Sequence, residues 1–305
     1  MNIGTKEITF DKELSIGAYN AINTCLRLQK NERITIITDN ESLEIAAALL
    51  SEVKKVGSVF KMFVLEDCAP RPLKDLPQII LDDLATSDVS IFACVAQTGE
   101  LGSRIQMTDV INRKKIRHAH MVNISKQIML EGMRANFTEV DKLGTILLEK
   151  LKQTKTIRAT SKGGTNIVAE FSPNLRWVKT SGIISRDKWG NLPGGEIFTA
   201  PYSVNGLFVC DGVVGDYLCP KYGDLKYTPL FIEIGNNRIK KMRCDNQQLL
   251  DEFTSYVMTD ENSNRVGEFA IGINTAILEI SGQILQDEKI PGIHVAFGNP
   301  YREHT

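Results

Sequence analysis

The sequence predicts an α/β protein in which a parallel-sheet α/β domain precedes a mostly β domain of α+β type. In the first half, short β-branched runs alternate with segments of helical periodicity, a pattern typical of β-α units around a parallel sheet. After about residue 155, short β-prone runs broken by Gly, Asn and Pro dominate. A length of 305 residues suits two domains, which we predict over 1–155 and 156–305.

The elements of the first half are predicted in chain order from the spacing of their apolar residues. An amphipathic helix is expected to lead, in ELSIGAYNAINTCLRLQ, followed by the strand RITIITD and the helix ESLEIAAALLSEVKKV. The alternation continues through VFKMFVLE, LPQIILDDLA, DVSIFACVA, the segment 103–117 and HAHMVNIS. Two histidines in that last run, His118 and His120, share one strand face, and we interpret them as structural.

The second half begins after the helical stretch VDKLGTILLEKLKQT. Strands are predicted in TSKGGTNIVAEF, NLRWVKTSG, EIFTAPYSVNGLFVCDG and PLFIEIGNNRIKKMRC, and IGNNRI is typical of a hairpin turn. One helix, NQQLLDEFTSYVM, is expected to interrupt these strands.

Composition and missing motifs exclude several classes of function. The 36 basic and 37 acidic residues leave a net charge of −1, so no global field favours nucleic acid or an anionic membrane, and a small partner is expected. The six cysteines form no C-x-x-C pair and are interpreted as buried thiols, which fits a reducing cytoplasm. No stretch approaches 18 uninterrupted apolar residues, the length that a membrane-spanning helix needs. The chain lacks a phosphate loop, G-x-G-x-x-G, H-E-x-x-H and G-x-S-x-G, which argues against nucleotide, zincin and serine-hydrolase chemistry.

Three carboxylates and one histidine indicate a hard-metal site. They are Glu196 in NLPGGEIFTAP, Glu268 in RVGEFAIGIN, and Glu288 with His294 in DEKIPGIHVAFG. Each lies in a Gly/Pro-bracketed apolar segment, where a buried carboxylate needs a cation or an arginine close by. Oxygen-rich ligation with one imidazole suits zinc, cobalt or manganese as a Lewis acid. The chemistry indicated is metal-assisted hydrolysis.

Each of these residues also has an alternative interpretation without a metal. The alternatives are a solvated loop carboxylate for Glu196, an exposed strand face for Glu268, a surface charge cluster with Asp287 and Lys289 for Glu288, and a core histidine bound to a backbone carbonyl for His294.

The same segments resemble a known family. NLPGGEIFTAP, VGEFAIGIN and DEKIPGIHVAFGNPY, in that order, are similar to the motifs of the aminopeptidase T family, the thermophilic-type metallo-aminopeptidases often called leucyl aminopeptidases, and the N-terminal half fits that family as well. The resemblance implies a homodimeric aminopeptidase that acts on short peptides through a metal-activated water. It further implies up to two divalent ions bound by Glu196, Glu268, Glu288 and His294, with Glu196 and Tyr301 as catalytic residues.

Two departures from the family pattern bear on this expectation. Family members place a His-x-Asp pair a few tens of residues after the GIHVAFG histidine, whereas this sequence stops at Thr305. We therefore expect an incomplete C-terminal domain, at most one well-bound ion and impaired activity. In addition, Gly194 and Gly195 precede the first glutamate where better-known peptidases have bulkier residues, which leaves the substrate class open.

Two alternative functions remain at this point. The family fold is shared by ring-cleaving dihydroxypyridine dioxygenases, which bind iron(II) with two histidines and an aspartate, and His294 would match one of those histidines. The chain could also be a non-catalytic binding protein that keeps the fold.

Overall fold

The computed structural model describes residues 8–299 and confirms the predicted fold class. Two compact units share the chain. Within the described residues, the first unit comprises those up to Glu139 together with Gly182–Gly194, and the second comprises Val140–Ser181 and those from Gly195 onward.

The strands and helices are as follows. The strands are β1 (Arg33–Thr38), β2 (Val59–Val64), β3 (Val89–Cys94), β4 (Arg117–Val122), β5 (Thr156–Thr160), β6 (Asn166–Glu170), β7 (Val178–Thr180), β8 (Gly190–Asn191), β9 (Glu196–Thr199), β10 (Ser203–Cys210), β11 (Leu230–Gly235), β12 (Arg238–Arg243), β13 (Val266–Gly272) and β14 (Gly292–Phe297). The α-helices are α1 (Ser15–Tyr19), α2 (Leu43–Val56), α3 (Leu65–Cys68), α4 (Gln78–Leu84), α5 (Leu101–Lys114), α6 (Lys126–Leu130), α7 (Phe137–Leu151), α8 (Gly215–Tyr222), α9 (Gln247–Val257) and α10 (Ile284–Asp287).

The first unit contains a parallel sheet with strand order β2-β1-β3-β4-β8. β3 is buried along its whole length, as expected for a central strand covered on both faces. The predicted helix α2 ends at Gly57, whose φ of 80° provides the left-handed C-terminal cap. The strands that alternation predicted in this part of the chain are therefore confirmed.

The leading helix is irregular rather than continuous. A 3₁₀ turn at Lys12–Leu14 precedes α1, and a π-helix follows at Asn20–Cys25. The side-chain amide of Asn20 donates to the carbonyls of Met133, at 2.8 Å, and Ala135, at 3.1 Å. These tertiary hydrogen bonds belong to the segment that departs from ideal α geometry, and apolar spacing alone does not reveal them.

The two histidines of β4 lie inside the first unit. The Nδ1 atom of His118 is 2.8 Å from the Ser90 hydroxyl, and its Nε2 atom is 3.3 Å from Nδ1 of His120. His120 also stacks on Phe92. Burial lowers the pKa of His118 well below its usual value and that of His120 to about 3, so both are neutral at pH 7.

The second unit contains two antiparallel sheets, with strand orders β12-β11-β10-β6-β5 and β14-β13-β9-β7. Asn236 and Asn237, between β11 and β12, have φ values of 50° and 63°, as the central residues of a type I′ hairpin require. The hairpin predicted at IGNNRI is confirmed.

The prediction of a single helix among the later strands was wrong. Two further helices, α8 and α10, lie there in addition to α9. α8 carries Pro220 in its interior, a residue that argues against a helix in a sequence pattern. α10 is only four residues long, too short for a period to be seen. None of the helices in residues 8–299 has both the length and the apolar character needed to cross a membrane.

Candidate metal centre

Three adjacent strands, β9, β13 and β14, carry the predicted site. Gly272 on β13 pairs with Glu196, and Ala270 pairs with His294. Glu268 lies two residues before Ala270 on the same strand, so successive side chains at these positions point to one face of the sheet. The strand register therefore brings Glu196, Glu268 and His294 together, although 98 positions separate the first from the last.

The ligand atoms of these three residues lie close enough for one cation. One carboxylate oxygen from each glutamate and one ring nitrogen of His294 are all within 4.8 Å of one another. His294 Nε2 is 3.3 Å from Glu268 Oε1 and 3.5 Å from Glu196 Oε2. Two carboxylates and an imidazole that converge at low exposure form a donor set suited to zinc, cobalt or manganese. The residues present therefore fit a divalent ion.

The electrostatics of the three residues reflect their crowding. Burial alone would raise the pKa of Glu196, but the charges of Lys289 and His294 lower it below its usual value. Burial acts to lower the pKa of His294, and it is outweighed by the hydrogen bond to Glu268 and the charges of Glu196 and Glu288, which raise it. The group holds excess negative charge, which favours a cation.

Glu196 is the most firmly positioned of the three. Its Oε1 atom accepts hydrogen bonds from Thr180 Oγ1, at 3.1 Å, and Lys289 Nζ, at 2.7 Å, and its Oε2 atom faces His294. Gly195, just before it, has a φ of 133°, and a Cβ atom there would lie 2.6 Å from Cβ of Asn274. The backbone of this turn therefore packs closely against Asn274, and only glycine fits there.

Glu288 lies beside the three residues rather than among their converging ligand atoms. It follows α10, and its Oε1 atom contacts the ammonium of Lys289, which also contacts Glu196. Burial raises the pKa of Glu288 to about 7, although the charge of Lys289 acts in the opposite direction. Tyr301, which the resemblance implied as an active-site residue, lies outside the described residues.

Sequence reasoning missed the role of Lys289. It appeared there only as a member of a possible surface charge cluster, yet its side chain is fully buried. The only sequence signal is its position at the start of the Gly/Pro-bracketed apolar segment KIPGI. Its ion-pair partner Glu196 is 93 residues away in sequence, so local composition does not indicate the pairing.

Two cavities border this group of residues. One, of about 540 Å³, adjoins Glu268, Glu288 and His294. Its remaining wall is mostly apolar and includes Phe208, Val214, Leu230, Phe253, Val257 and Phe297. The other, of about 410 Å³, is lined by Glu288 and His294 together with Ser161 and Asp211. A molecule with one apolar and one polar end could therefore contact the site.

Two solved structures share this fold at low sequence identity. Wild-type AmpT from Thermus thermophilus is 15% identical, with a TM-score of 0.66 over 97% of this chain and 87% of that one. The 2,5-dihydroxypyridine dioxygenase from Pseudomonas putida is 13% identical, with a TM-score of 0.65 over 91% of this chain and 83% of that one. Among curated proteins, none matches the sequence.

A family model matches more than half of the chain. It describes the thermophilic metalloprotease (M29) family and covers residues 134–305, a range that includes Glu196, Glu268, Glu288 and His294. Membership of a metalloprotease family agrees with a donor set of carboxylates and one imidazole beside a cavity. The chain belongs to the thermophilic metalloprotease family.

Proposed function

We propose that this protein is a metal-dependent aminopeptidase that removes N-terminal residues from short peptides. The observation that carries the proposal is the convergence of Glu196, Glu268 and His294 within 4.8 Å, inside the part of the chain that matches the metalloprotease family. The glutamates of the site support hydrolysis over ring cleavage, because hydrolytic dinuclear centres use bridging carboxylates, whereas the iron centre of the dioxygenase alternative uses two histidines and an aspartate.

The residues of the site have distinct roles in this proposal. Glu196, Glu268 and His294 would hold zinc, cobalt or manganese, which when bound lowers the pKa of a coordinated water toward about 7 and polarises the scissile carbonyl. Glu196 is kept in place by Thr180 and Lys289. Glu288 borders both cavities and would be the carboxylate that passes a proton to the leaving amine. The family resemblance implies that Tyr301 would donate a hydrogen bond to the oxyanion.

The apolar cavity supports a preference for large apolar N-terminal residues. Phe208, Phe253 and Phe297 line it next to the ligand group. Complete burial of a leucine or phenylalanine side chain contributes about 1.5–3 kcal/mol, which corresponds to a discrimination of roughly 10- to 100-fold. We expect kcat/KM for leucine and phenylalanine anilides to exceed that for glycine and glutamate anilides by this factor. Equal rates across the panel would contradict the assignment of this cavity to the substrate side chain.

The proposal is tested by aminoacyl-anilide hydrolysis with added zinc, cobalt or manganese. Turnover that disappears with a chelator and returns with metal is the expected result. Lack of turnover on a broad panel, in protein shown to carry metal, would overturn the function. Oxygen uptake with a dihydroxypyridine and ferrous iron would instead support the dioxygenase alternative.

We further propose that the protein is a cytoplasmic homodimer. The proposal of a dimer follows the resemblance to the aminopeptidase family, and the cytoplasm suits the free thiols of its cysteines. Light scattering is expected to give twice the chain mass of 34.0 kDa, and a mass of one chain would contradict the dimer.

A further inference from the structure

Lys289 is a fully buried cation inside the candidate metal centre. None of its side chain is exposed, and its Nζ atom lies 2.7 Å from Glu196 Oε1 and also contacts Glu288 Oε1. Its backbone is fixed as well, because the N–H of Asn274 donates to its carbonyl at 2.9 Å and its own N–H donates to Gln286. An ammonium buried this deeply is stable only when carboxylates surround it. Lys289 is therefore part of the candidate metal centre rather than a neighbouring surface residue.

The ammonium of Lys289 bridges two carboxylates of the cluster. It joins one oxygen of Glu196 to one oxygen of Glu288, whereas the other oxygen of Glu196 faces His294, whose Nε2 atom also contacts Glu268 Oε1. Glu196 thus has a lysine on one oxygen and the candidate metal position on the other. This arrangement resembles a two-cation centre in which one cation is a side chain.

The charges of the cluster favour one divalent ion. Glu196, Glu268 and Glu288 carry three negative charges when ionised, and Lys289 offsets one of them. With His294 neutral as a ligand, one divalent ion neutralises the remainder. A second divalent ion would leave two uncompensated positive charges in a mostly buried site, which is costly.

The neighbouring carboxylate of Asp287 is hydrogen-bonded to groups outside this cluster. It accepts hydrogen bonds from the hydroxyl and N–H of Ser281 and from the N–H groups of Gly282 and Gln283. Its charge is therefore directed at the loop that precedes α10.

We propose that Lys289 occupies one of the two cation positions of this centre, so that the protein binds a single divalent ion at Glu196, Glu268 and His294. The inference rests on the proposed metal site. Lys289 cannot act as a Lewis acid, and it serves as a positioning residue that fixes the Glu196 and Glu288 carboxylates in the absence of a second metal.

The test is the number of manganese ions bound per chain. Metal-free protein is titrated with Mn²⁺, separated from free ion and measured by elemental analysis, while the thermal unfolding midpoint is followed with and without Mn²⁺. The wild type is expected to bind one ion. Lys289→Met keeps the length of the side chain and removes its charge, so it should bind a second, weaker ion and unfold at lower temperature unless Mn²⁺ is added.

A matched control is Lys221→Met, which removes a partly exposed lysine that pairs with Glu252. It should bind one ion, as the wild type does. If the methionine variant does not fold, Lys289→Gln tests the same point, because its amide still donates to the two carboxylates.

The outcomes separate this inference from the proposed function. Two ions in the wild type, or one ion with unchanged affinity in both Lys289 variants, would overturn the role of Lys289 while leaving peptidase activity possible. One ion in the wild type and two in a Lys289 variant, without anilide hydrolysis, would support the role of Lys289 and reject the peptidase. Binding of no ion by any of these proteins would overturn the metal site and this inference with it.

Discussion

At the residue scale, a substitution at Glu268 tests whether the charge of this side chain, rather than its shape, is needed for metal binding and turnover. Glu268→Gln keeps the side-chain volume but removes the negative charge that faces His294 across 3.3 Å. Because a neutral amide oxygen is a much weaker ligand for a divalent ion, we expect anilide turnover to fall at least about 100-fold and metal affinity to fall with it. Elemental analysis and the circular dichroism spectrum measure metal content and folding separately.

The control for this substitution is Glu170→Gln. Glu170 is exposed at the end of β6, in a different sheet from the ligand strands, and accepts a hydrogen bond from Ser203. Its turnover and metal content should remain within about twofold of the wild type. Near-normal turnover in Glu268→Gln would make Glu268 a structural residue.

Individual site residues differ in how far the sequence reveals them. Glu196, Glu268 and His294 stand out because a charged or polar residue interrupts an apolar, Gly/Pro-bracketed segment, and the structure brings these three together. Lys289 does not stand out, because a lysine between charged and apolar neighbours is common at surfaces. Its burial depends on a glutamate 93 residues earlier, a contact that local pattern cannot encode.

At the element scale, the packing of β13 between β9 and β14 requires a glycine at position 272. Gly272 pairs with Glu196 on β9 and with Gly292 on β14. A Cβ atom at Gly272 would lie 1.9 Å from the carbonyl oxygen of Ile290, which is backbone and cannot rotate away. We expect Gly272→Ala to lower the free energy of unfolding by about 3 kcal/mol and to weaken metal binding, because the pairing with Glu196 shifts.

Its matched control is Gly292→Ala on the facing strand. The Cβ atom added there would lie 4.0 Å from the same Ile290 oxygen, an ordinary contact. Urea unfolding should show a change below about 1 kcal/mol for this variant. If the two alanine variants are equally stable, then the close approach at Gly272 does not constrain the sheet.

Element prediction succeeded where the period of apolar residues was long enough to be seen. The strands β1, β3 and β13 and the helices α2 and α9 follow runs of six or more patterned residues. α10 has four residues, and its loop is held by the Asp287 carboxylate, which accepts from three consecutive N–H groups. Hydrogen bonds of that kind, rather than hydrophobic spacing, determine such short elements.

At the scale of the whole molecule, the change from parallel to antiparallel sheets was predictable because the sequence changes from β-α alternation to short strands with turns. The sequence did not predict that the segment Gly182–Gly194 belongs to the first unit. That segment joins the parallel sheet through β8, only two residues long, which pairs with Ala119 and His120 of β4. A two-residue pairing over some 70 positions leaves no recognisable pattern in sequence.

The stability of the folded protein toward acid should depend on a buried ion-pair network in the first unit. Arg71, which is 3% exposed, contacts Asp39 at 2.8 Å, Glu66 at 3.2 Å and Glu100 at 2.6 Å. Burial alone would raise the pKa of Glu100, but hydrogen bonds from Arg71 and from the N–H groups of Leu73 and Gln97 lower it to about 2. The folded state therefore binds the proton of Glu100 more weakly than the unfolded state does.

This difference fixes the sign of the pH dependence. The stabilisation from Glu100 is fully present above its ordinary pKa of about 4.5 and is lost as the pH falls toward 2, because the unfolded chain takes up the proton first. A depression of this size corresponds to about 3 kcal/mol at neutral pH.

Replacement of Glu100 by glutamine removes this titration. We expect Glu100→Gln to be less stable than the wild type at pH 7, and the difference in free energy of unfolding to narrow as the pH falls from 5 to 2. Urea unfolding at several pH values measures this difference. Glu149→Gln, which removes an exposed pair with Lys152, should show almost none. A difference between the wild type and Glu100→Gln that stays constant from pH 7 to 2 would mean that Arg71 does not hold Glu100 ionised, since only a depressed pKa produces the narrowing.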